Sequence, residues 1–251
     1  AGLRTGAGGA LATVAIETGP LAADEAAQLA YARMGGAGGR DEAAAQGMAR
    51  LIARESAGNP MLIEALCLHV DPEADPATLR STLGGRAASL EQLIGRRLRT
   101  LPPEARRALE LVALAGQPLA REALARALGL ADELRPVLGP LVAGRLIRTT
   151  TDPRGSVEIY HDRIRVAVLR GLALHEQAER HRSLAAALRA SGCDDAERLA
   201  RHLFAAGERA EAAEFAADAA YLAEASAAFE RAAMLYRLAI ACRPQDWVLR
   251  R

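Results

Sequence analysis

A break at Gly58-Asn59-Pro60 constrains the fold of this chain more than any other stretch of the sequence. An amphipathic helical pattern over residues 41–55 stops there, because glycine and asparagine tolerate the turn that ends a helix. Pro60 then stands where a second helix can begin, since the first helical residue needs no N–H partner. Apolar residues follow with helical spacing and give this second helix one apolar face. The sequence therefore predicts two helices, residues 41–55 and 60–68, joined at a fixed corner.

Similar patterns recur along the chain, so we expect a mainly α protein. One strand is predicted before the helices, at residues 11–17, where three residues are β-branched. A single short strand is not stable alone, so it belongs to a sheet with strands before Ala1 or to an ordered arm. The further predicted helices are residues 23–33, 78–83, 89–99, 103–115, 121–128, 132–143, 161–191 with a break near Gly171, 196–206, 210–222 and 225–242.

The composition indicates a globular protein with a thin core. The length of 251 residues favours two or three small domains. Apolar residues make up 51% of the chain but aromatic residues only 3%, so the core must come from closely packed, alanine-rich helices. The sequence has no signal peptide and no apolar run of the roughly 18 residues that a membrane helix needs. We predict a cytoplasmic protein without membrane contact.

All basic residues of the chain are arginines. The 32 basic residues balance 31 acidic ones, and the formal net charge of +1 gives no case for nucleic-acid binding. Because the sequence has no lysine, it contains no phosphate-loop, Schiff-base or kinase ATP-anchoring lysine. We expect no catalysis by this chain itself.

The cysteines and histidines form no metal-binding pattern. The cysteines lie far apart and favour a reducing compartment: Cys67, Cys193 and Cys242. His175 and His181 flank two glutamates on one predicted helix, a weak metal pattern for which a solvated helix face is the preferred interpretation. We predict no metal ligands.

Residues 101–160 follow the order helix, helix, helix, hairpin. The predicted strands, residues 145–151 and 156–160, flank the turn signal Asp152-Pro153-Arg154-Gly155. This order predicts a winged-helix domain with a small β-hairpin. Its third helix is apolar and offers only Arg135 to a base edge, so packing against a neighbouring domain is favoured over DNA reading.

From residue 161 onward the sequence predicts helical hairpins. In the last helix, Ala232, Tyr236, Ala239 and Pro244 are spaced as in the second helix of a tetratricopeptide repeat. Tyr160-His161-Asp162-Arg163-Ile164-Arg165 joins this arm to the hairpin. His161 or Asp162 can cap the following helix while the arginines pair with acids; the alternative is a relay between domains, with His161, Asp162 and Arg165 as its residues.

A series of short stretches follows a fixed order along the chain: Gly19-Pro20-Leu21, residues 55–66, Ser89-Leu90-Glu91-Gln92-Leu93-Ile94 with Arg97-Leu98 and Leu101-Pro102, Ala113-Leu114-Ala115-Gly116, residues 160–165 and residues 229–239. Taken in this order, these stretches resemble the later part of the STAND-class AAA+ ATPase modules that bacteria fuse to serine/threonine protein kinases, adenylate cyclases and LuxR-type regulators. The last stretch is most similar to the kinase-fused members.

The resemblance implies a division of the chain. Residues 1–19 would end a nucleotide-binding core, residues 20–100 would be its helical lid, residues 101–160 the winged helix, and residues 161–251 the start of a TPR-like sensor arm. It also implies that the turn at Gly58, Asn59 and Pro60 lies over bound ATP or ADP. The phosphate loop and the Mg²⁺-binding acids would precede Ala1.

We therefore expect a regulatory fragment of a bacterial ATP-dependent signalling protein, in which nucleotide state is coupled to a protein partner bound by the arm. The resemblance favours a serine/threonine protein kinase as the parent. Two alternatives stay open: a TPR-type interaction scaffold, and a LuxR-linked transcription regulator, which a DNA-binding helix-turn-helix after Arg251 would favour.

Overall fold

The structure is a computed structural model that describes residues 19–36, 42–69, 95, 98–130, 133–153 and 155–243. The chain divides into two compact units, Ala1–Ala88 and Ser89–Arg251. Helices dominate the described residues, whose only sheet has two antiparallel strands, so the mainly α prediction is confirmed. The strand predicted at residues 11–17, the helix at 78–83 and most of the helix at 89–99 lie outside the described residues.

The described part of the first unit consists of three helices, α1 (Ala23–Arg33), α2 (Glu42–Glu55) and α3 (Pro60–His69). α1 packs against both of the others. Its buried face carries Ala26 and Ala30, while α2 and α3 contribute Ile52 and Ile63. Because α1 presents only small side chains, the other two helices approach its backbone closely.

In the second unit, α4 (Pro103–Ala115), α5 (Arg121–Leu128) and α6 (Arg135–Ala143) precede β1 (Ile147–Thr149) and β2 (Val157–Ile159). α4 and α5 have the predicted bounds, and each ends at a glycine in the left-handed conformation. α6 begins three residues later than predicted, with a proline in its first turn.

The hairpin is shorter than predicted and has an additional partner. β1 and β2 pair antiparallel, with Ile147 opposite Ile159. Leu119, in the loop between α4 and α5, exchanges two backbone hydrogen bonds of 2.9 Å with Val157. β2 therefore lies between β1 and the Leu119 segment, and this short pairing ties the hairpin to the helices.

The described residues from 161 to 243 form a run of five helices: α7 (Asp162–Arg170), α8 (Leu174–Ala190), α9 (Ala196–Ala206), α10 (Arg209–Ala225) and α11 (Phe229–Cys242). The prediction that the last helix starts at residue 225 is wrong, because the chain turns at residues 226–228. Ala227 takes a φ of 57° there, and the Ser226 hydroxyl donates to the Leu222 carbonyl at 2.9 Å.

Consecutive helices from α8 to α11 pack side by side. Ala200, Ala216 and Ala239 come from α9, α10 and α11 and are all fully buried. Alanine at these positions removes side-chain bulk and lets the helix backbones approach. The core of this arm is thus rich in alanine, with buried leucines such as Leu203 and Leu235 among the small residues.

Candidate functional site

The corner at Gly58 is built from two consecutive left-handed residues. Ala57 has a φ of 48° and Gly58 a φ of 73°, and the reversal separates α2 from α3. Asn59 then caps α3, because its Oδ1 accepts from the backbone N–H groups of Met61 at 3.0 Å and Leu62 at 3.2 Å. Pro60 occupies the first helical position, as predicted. The backbone of the corner is therefore determined by its own residues.

The corner also contacts the segment that precedes α1. The Leu21 N–H donates to the Gly58 carbonyl at 2.9 Å. A Cβ on Gly58 would lie 2.3 Å from the Leu21 carbonyl oxygen, so no larger residue fits. The structure thus brings together two stretches that the sequence analysis treated separately, Gly19-Pro20-Leu21 and Gly58-Asn59-Pro60.

A groove of about 850 Å³ runs between α1 and α2 and reaches this corner. Tyr31 Oη donates to the Glu42 carboxylate at 2.8 and 2.9 Å, and the Gln46 amide donates to the same carboxylate at 2.8 Å. Further polar side chains that line the groove are Asp24, Gln28, Arg50 and Arg54.

The sequence analysis missed these groove residues. Gln46, Arg50 and Arg54 are four residues apart along α2, so they form one polar row on the helix. This row lies beside buried Ala49 and Ala53, which also line the groove. A polar row adjoining an alanine-lined face was the signal available in the sequence. Arg50 and Arg54 are both exposed, and Arg54 pairs with Glu55 at 3.1 Å, so Arg50 is the donor that the row can offer to an anionic ligand.

The predicted relay residues fall at the start of α7 and have separate roles. His161 is the N-cap: its backbone is extended and its Nδ1 accepts from the Arg163 N–H at 3.2 Å. The Asp162 carboxylate is 75% exposed and lies in the first turn, where its charge complements the helix dipole. Both side chains face solvent, so neither contributes to a buried site in the described structure.

Arg165 is the member of this group that joins two elements. Its Nε donates to the Ala113 carbonyl at 3.1 Å, and its Nη1 lies 3.5 Å from Asp162. Ala113 belongs to the last turn of α4, whose carbonyls have no helical N–H partner. Arg165 therefore supplies a donor and a positive charge to the end of α4, and it fixes α7 to that helix.

The prediction that His175 and His181 share a solvated face is wrong for His181. His175 is exposed, but the Nδ1 of His181 lies 2.8 Å from the Nδ1 of His202 on α9. Burial lowers the pKa of His181 and lowers that of His202 to about 3, and neighbouring Arg198 and Arg201 oppose a positive charge on His202. Among the described residues, no group of three metal-ligating side chains occurs.

A buried ion pair connects the arm to α4. Arg180 Nε donates to the Glu110 carboxylate at 3.0 Å, and the two side chains are 15% and 11% exposed. Arg180 also lies 3.5 Å from Glu179, which is largely exposed. Since α4 and α8 come from the two halves of the second unit, this pair helps to set their relative position.

Comparison with protein-family models, with curated proteins and with solved structures found no match to this chain. None of the described helices is both long enough and apolar enough to span a bilayer.

Proposed function

We propose that this chain is the non-catalytic, nucleotide-responsive regulatory part of a bacterial ATP-dependent signalling protein. The parent would be a serine/threonine protein kinase with a STAND-class AAA+ module, and the chain would supply the lid, the winged helix and the first hairpins of a sensor arm. The contact between Leu21 and Gly58 is the observation that carries this proposal, because it joins two stretches of the resemblance at one end of a ligand-sized groove.

The groove has the size and chemistry for part of a nucleotide. About 850 Å³ falls within the range of small-molecule sites. Arg50 and Arg54 lie one helical turn apart on one wall; the Arg50 guanidinium suits phosphate oxygens, and Arg54, which pairs with Glu55, adds positive charge beside it. ATP or ADP would meet this lid from an upstream core that holds the phosphate loop and Mg²⁺.

The second unit supports the finer assignment of domains. The order α4, α5, α6, β1, β2, with Leu119 bridged to Val157 of β2, supports a winged-helix assignment. Val137, Leu138 and Leu141 of α6 are buried, which favours a packing role over DNA reading. The antiparallel neighbours α9, α10 and α11 support a TPR-like arm that binds a protein partner.

In the proposed mechanism, nucleotide bound at the corner favours one conformation of the lid. This conformational change is transmitted through the winged helix to the arm and alters how the arm binds its partner. Arg165 is suited to the relay because it connects the end of α4 to the first helix of the arm.

The test is nucleotide affinity in the parent protein with the residues before Ala1 included, measured with a fluorescent ADP. Arg50→Gln and Pro60→Ala should each weaken ADP binding several-fold. Arg33→Gln is the matched control, because Arg33 lies in the same unit but pairs with Glu64 and does not line the groove. Unchanged affinity in Arg50→Gln and Pro60→Ala would contradict the lid assignment.

A pure interaction scaffold is the second candidate function. Tyr221, Leu222 and Phe229 near the α10–α11 turn are 67%, 59% and 66% exposed, which is unusual for large apolar side chains outside a binding surface. A parent protein that binds a partner through this arm but binds no ATP would favour the scaffold.

A further inference from the structure

A second groove, of about 520 Å³, lies between α5 and α8 with one wall from α4. Ser183, Ala186, Ala187 and Ala190 of α8 line it and share one helix face because they recur at helical spacing. The C-terminal end of α5 forms the opposite side. These positions span two turns of α8, so the groove is about 10 Å long.

Two arginines line this groove, and none of its described lining residues is acidic. Arg107 comes from α4 and Arg126 from the last turn of α5. Arg126 lies 2.9 Å from Glu122 on its own helix, but both side chains are about half exposed or more, and such pairs contribute little. The charge of the groove therefore favours an anionic ligand.

Arg107 has a side-chain donor, its Nε–H, that makes no hydrogen bond to any residue that the structure describes. Its Nε is buried, and no acceptor lies within reach among the described residues. A buried donor without a partner is costly, and because this Nε is enclosed by protein, a ligand would meet Arg107 through the part of its side chain that lines the groove. The N–H groups of a guanidinium are suited to the oxygens of a carboxylate.

The shape of the groove distinguishes a peptide from a small ion. Its floor is alanine, with Ala127 and Ala187 both buried, and small residues allow a backbone to approach closely. A free phosphate would fill only one end of a groove two helical turns long. A short peptide would fill its length and present an acidic side chain to each arginine.

We propose that the groove between α5 and α8 binds an acidic peptide segment of a partner protein, with carboxylates bound by Arg107 and Arg126. The proposal rests on the proposed role of the second unit in partner binding and specifies the chemistry of the partner. It is independent of the groove at Gly58.

The test uses the full 251-residue chain at low ionic strength and the peptide acetyl-Ala-Glu-Ala-Glu-Ala-amide, with the Gln-for-Glu peptide as its control. In NMR spectra of arginine side chains, the Arg107 Nε–H signal should shift on adding the Glu peptide and stay in place with the Gln peptide. Arg126→Gln should weaken Glu-peptide binding about tenfold, as expected for loss of a hydrogen bond between charged groups.

Controls separate this site from general charge effects. Arg148→Gln removes an exposed arginine of β1 that lies outside the groove and should leave peptide binding unchanged. Equal binding of the two peptides, an equal loss in Arg148→Gln, or inorganic phosphate binding as tightly as the Glu peptide would each overturn the proposal. Arg126→Gln in the parent protein should leave ADP affinity intact, so failure here is distinguishable from failure of the lid assignment.

Discussion

The Nδ1 atoms of His181 and His202 lie 2.8 Å apart and join α8 to α9. His202 is 4% exposed, and its ring centroid is 5.1 Å from that of His181. Burial lowers the pKa of both rings, and the charges of Arg198 and Arg201 lower that of His202 further. At neutral pH the pair is therefore uncharged, and one ring N–H donates to the other ring nitrogen.

This pair predicts acid sensitivity of the α8–α9 hairpin. The folded-state pKa of His202 is about 3 against an ordinary 6.5, so its contribution to stability is complete above pH 6.5 and is lost as the pH falls towards 3. The loss is at most about 1.4 kcal/mol per pH unit for one histidine. Amide hydrogen exchange in α8 and α9 should quicken over this range, and the His202 ring signals in an NMR titration should not move near pH 6.5.

His202→Gln should flatten this dependence, since glutamine does not titrate. His175→Gln is the matched control, because His175 is exposed on the same helix as His181 and should leave the dependence unchanged. A His202 ring that titrates near its ordinary pKa would contradict the buried pair.

The Gly58 corner predicts a sharp difference between two glycine-to-alanine changes. Gly58→Ala places a Cβ 2.3 Å from the Leu21 carbonyl oxygen at a φ of 73°, so both a clash and a strained backbone result. The left-handed conformation alone costs alanine roughly 1–2 kcal/mol, and the clash adds to it. The free energy of unfolding of the first unit should fall by more than about 2 kcal/mol, the sum of these two costs. Denaturant unfolding monitored by amide hydrogen exchange measures this loss.

Gly47→Ala is the matched control in the same unit. Gly47 is exposed within α2, and a Cβ there would meet nothing within 4 Å, so alanine should stabilise the helix by about 0.5–1 kcal/mol. Asn59→Ala should fall between the two, with a loss of about 1 kcal/mol from the α3 cap. A Gly58→Ala protein as stable as Gly47→Ala would show that the Leu21 contact is absent in solution.

Local signals account for the helix bounds that the sequence predicts well. The bounds of α1, α4, α5 and α9 agree with the prediction, and the last three end at a glycine with a positive φ. Where such a signal is missing, the prediction is wrong: the turn before α11 places Ala227, a strong helix former, in the left-handed conformation. Helix ends and turns that depend only on adjacent residues can therefore be predicted from the sequence.

Contacts between residues that are far apart in the sequence cannot be predicted in the same way. The pairing of Leu21 with Gly58 and of His181 with His202 depends on how whole helices pack, and a helical pattern gives no partner for a face. For the candidate site, the sequence analysis identified the corner residues but not the groove beside them. The sequence analysis also placed Arg165 between the hairpin and the helical arm, but it did not identify the Ala113 carbonyl to which Arg165 donates.

The Glu110–Arg180 pair predicts unequal effects for its two members. Glu110→Leu leaves Arg180 near Glu179, whereas Arg180→Met leaves the buried Glu110 carboxylate without its ion-pair partner. Removing one member of a buried pair costs about 3–5 kcal/mol, so we expect the larger loss for Arg180→Met. Stability of the second unit should be measured by urea unfolding.

The double variant provides the internal control. Glu110→Leu combined with Arg180→Met removes both charges and should cost less than the sum of the single losses. Additive losses would mean that the two side chains are not coupled in solution.

Arg165 predicts which member of residues 160–165 holds the joint between α4 and α7. Arg165→Ala removes the donor to the Ala113 carbonyl and should cost about 1 kcal/mol, with faster amide exchange throughout α7. Arg165→Lys keeps a positive charge near the end of α4 but lacks the Nε–H donor, so it should recover only part of the loss. Asp162→Asn is the control, since Asp162 is 75% exposed and contacts Arg165 at 3.5 Å only. If Asp162→Asn quickens exchange in α7 as much as Arg165→Ala does, the Asp162 charge, acting on the helix dipole and on Arg165, stabilises α7 as much as the Ala113 contact does, and the special role of that contact is contradicted.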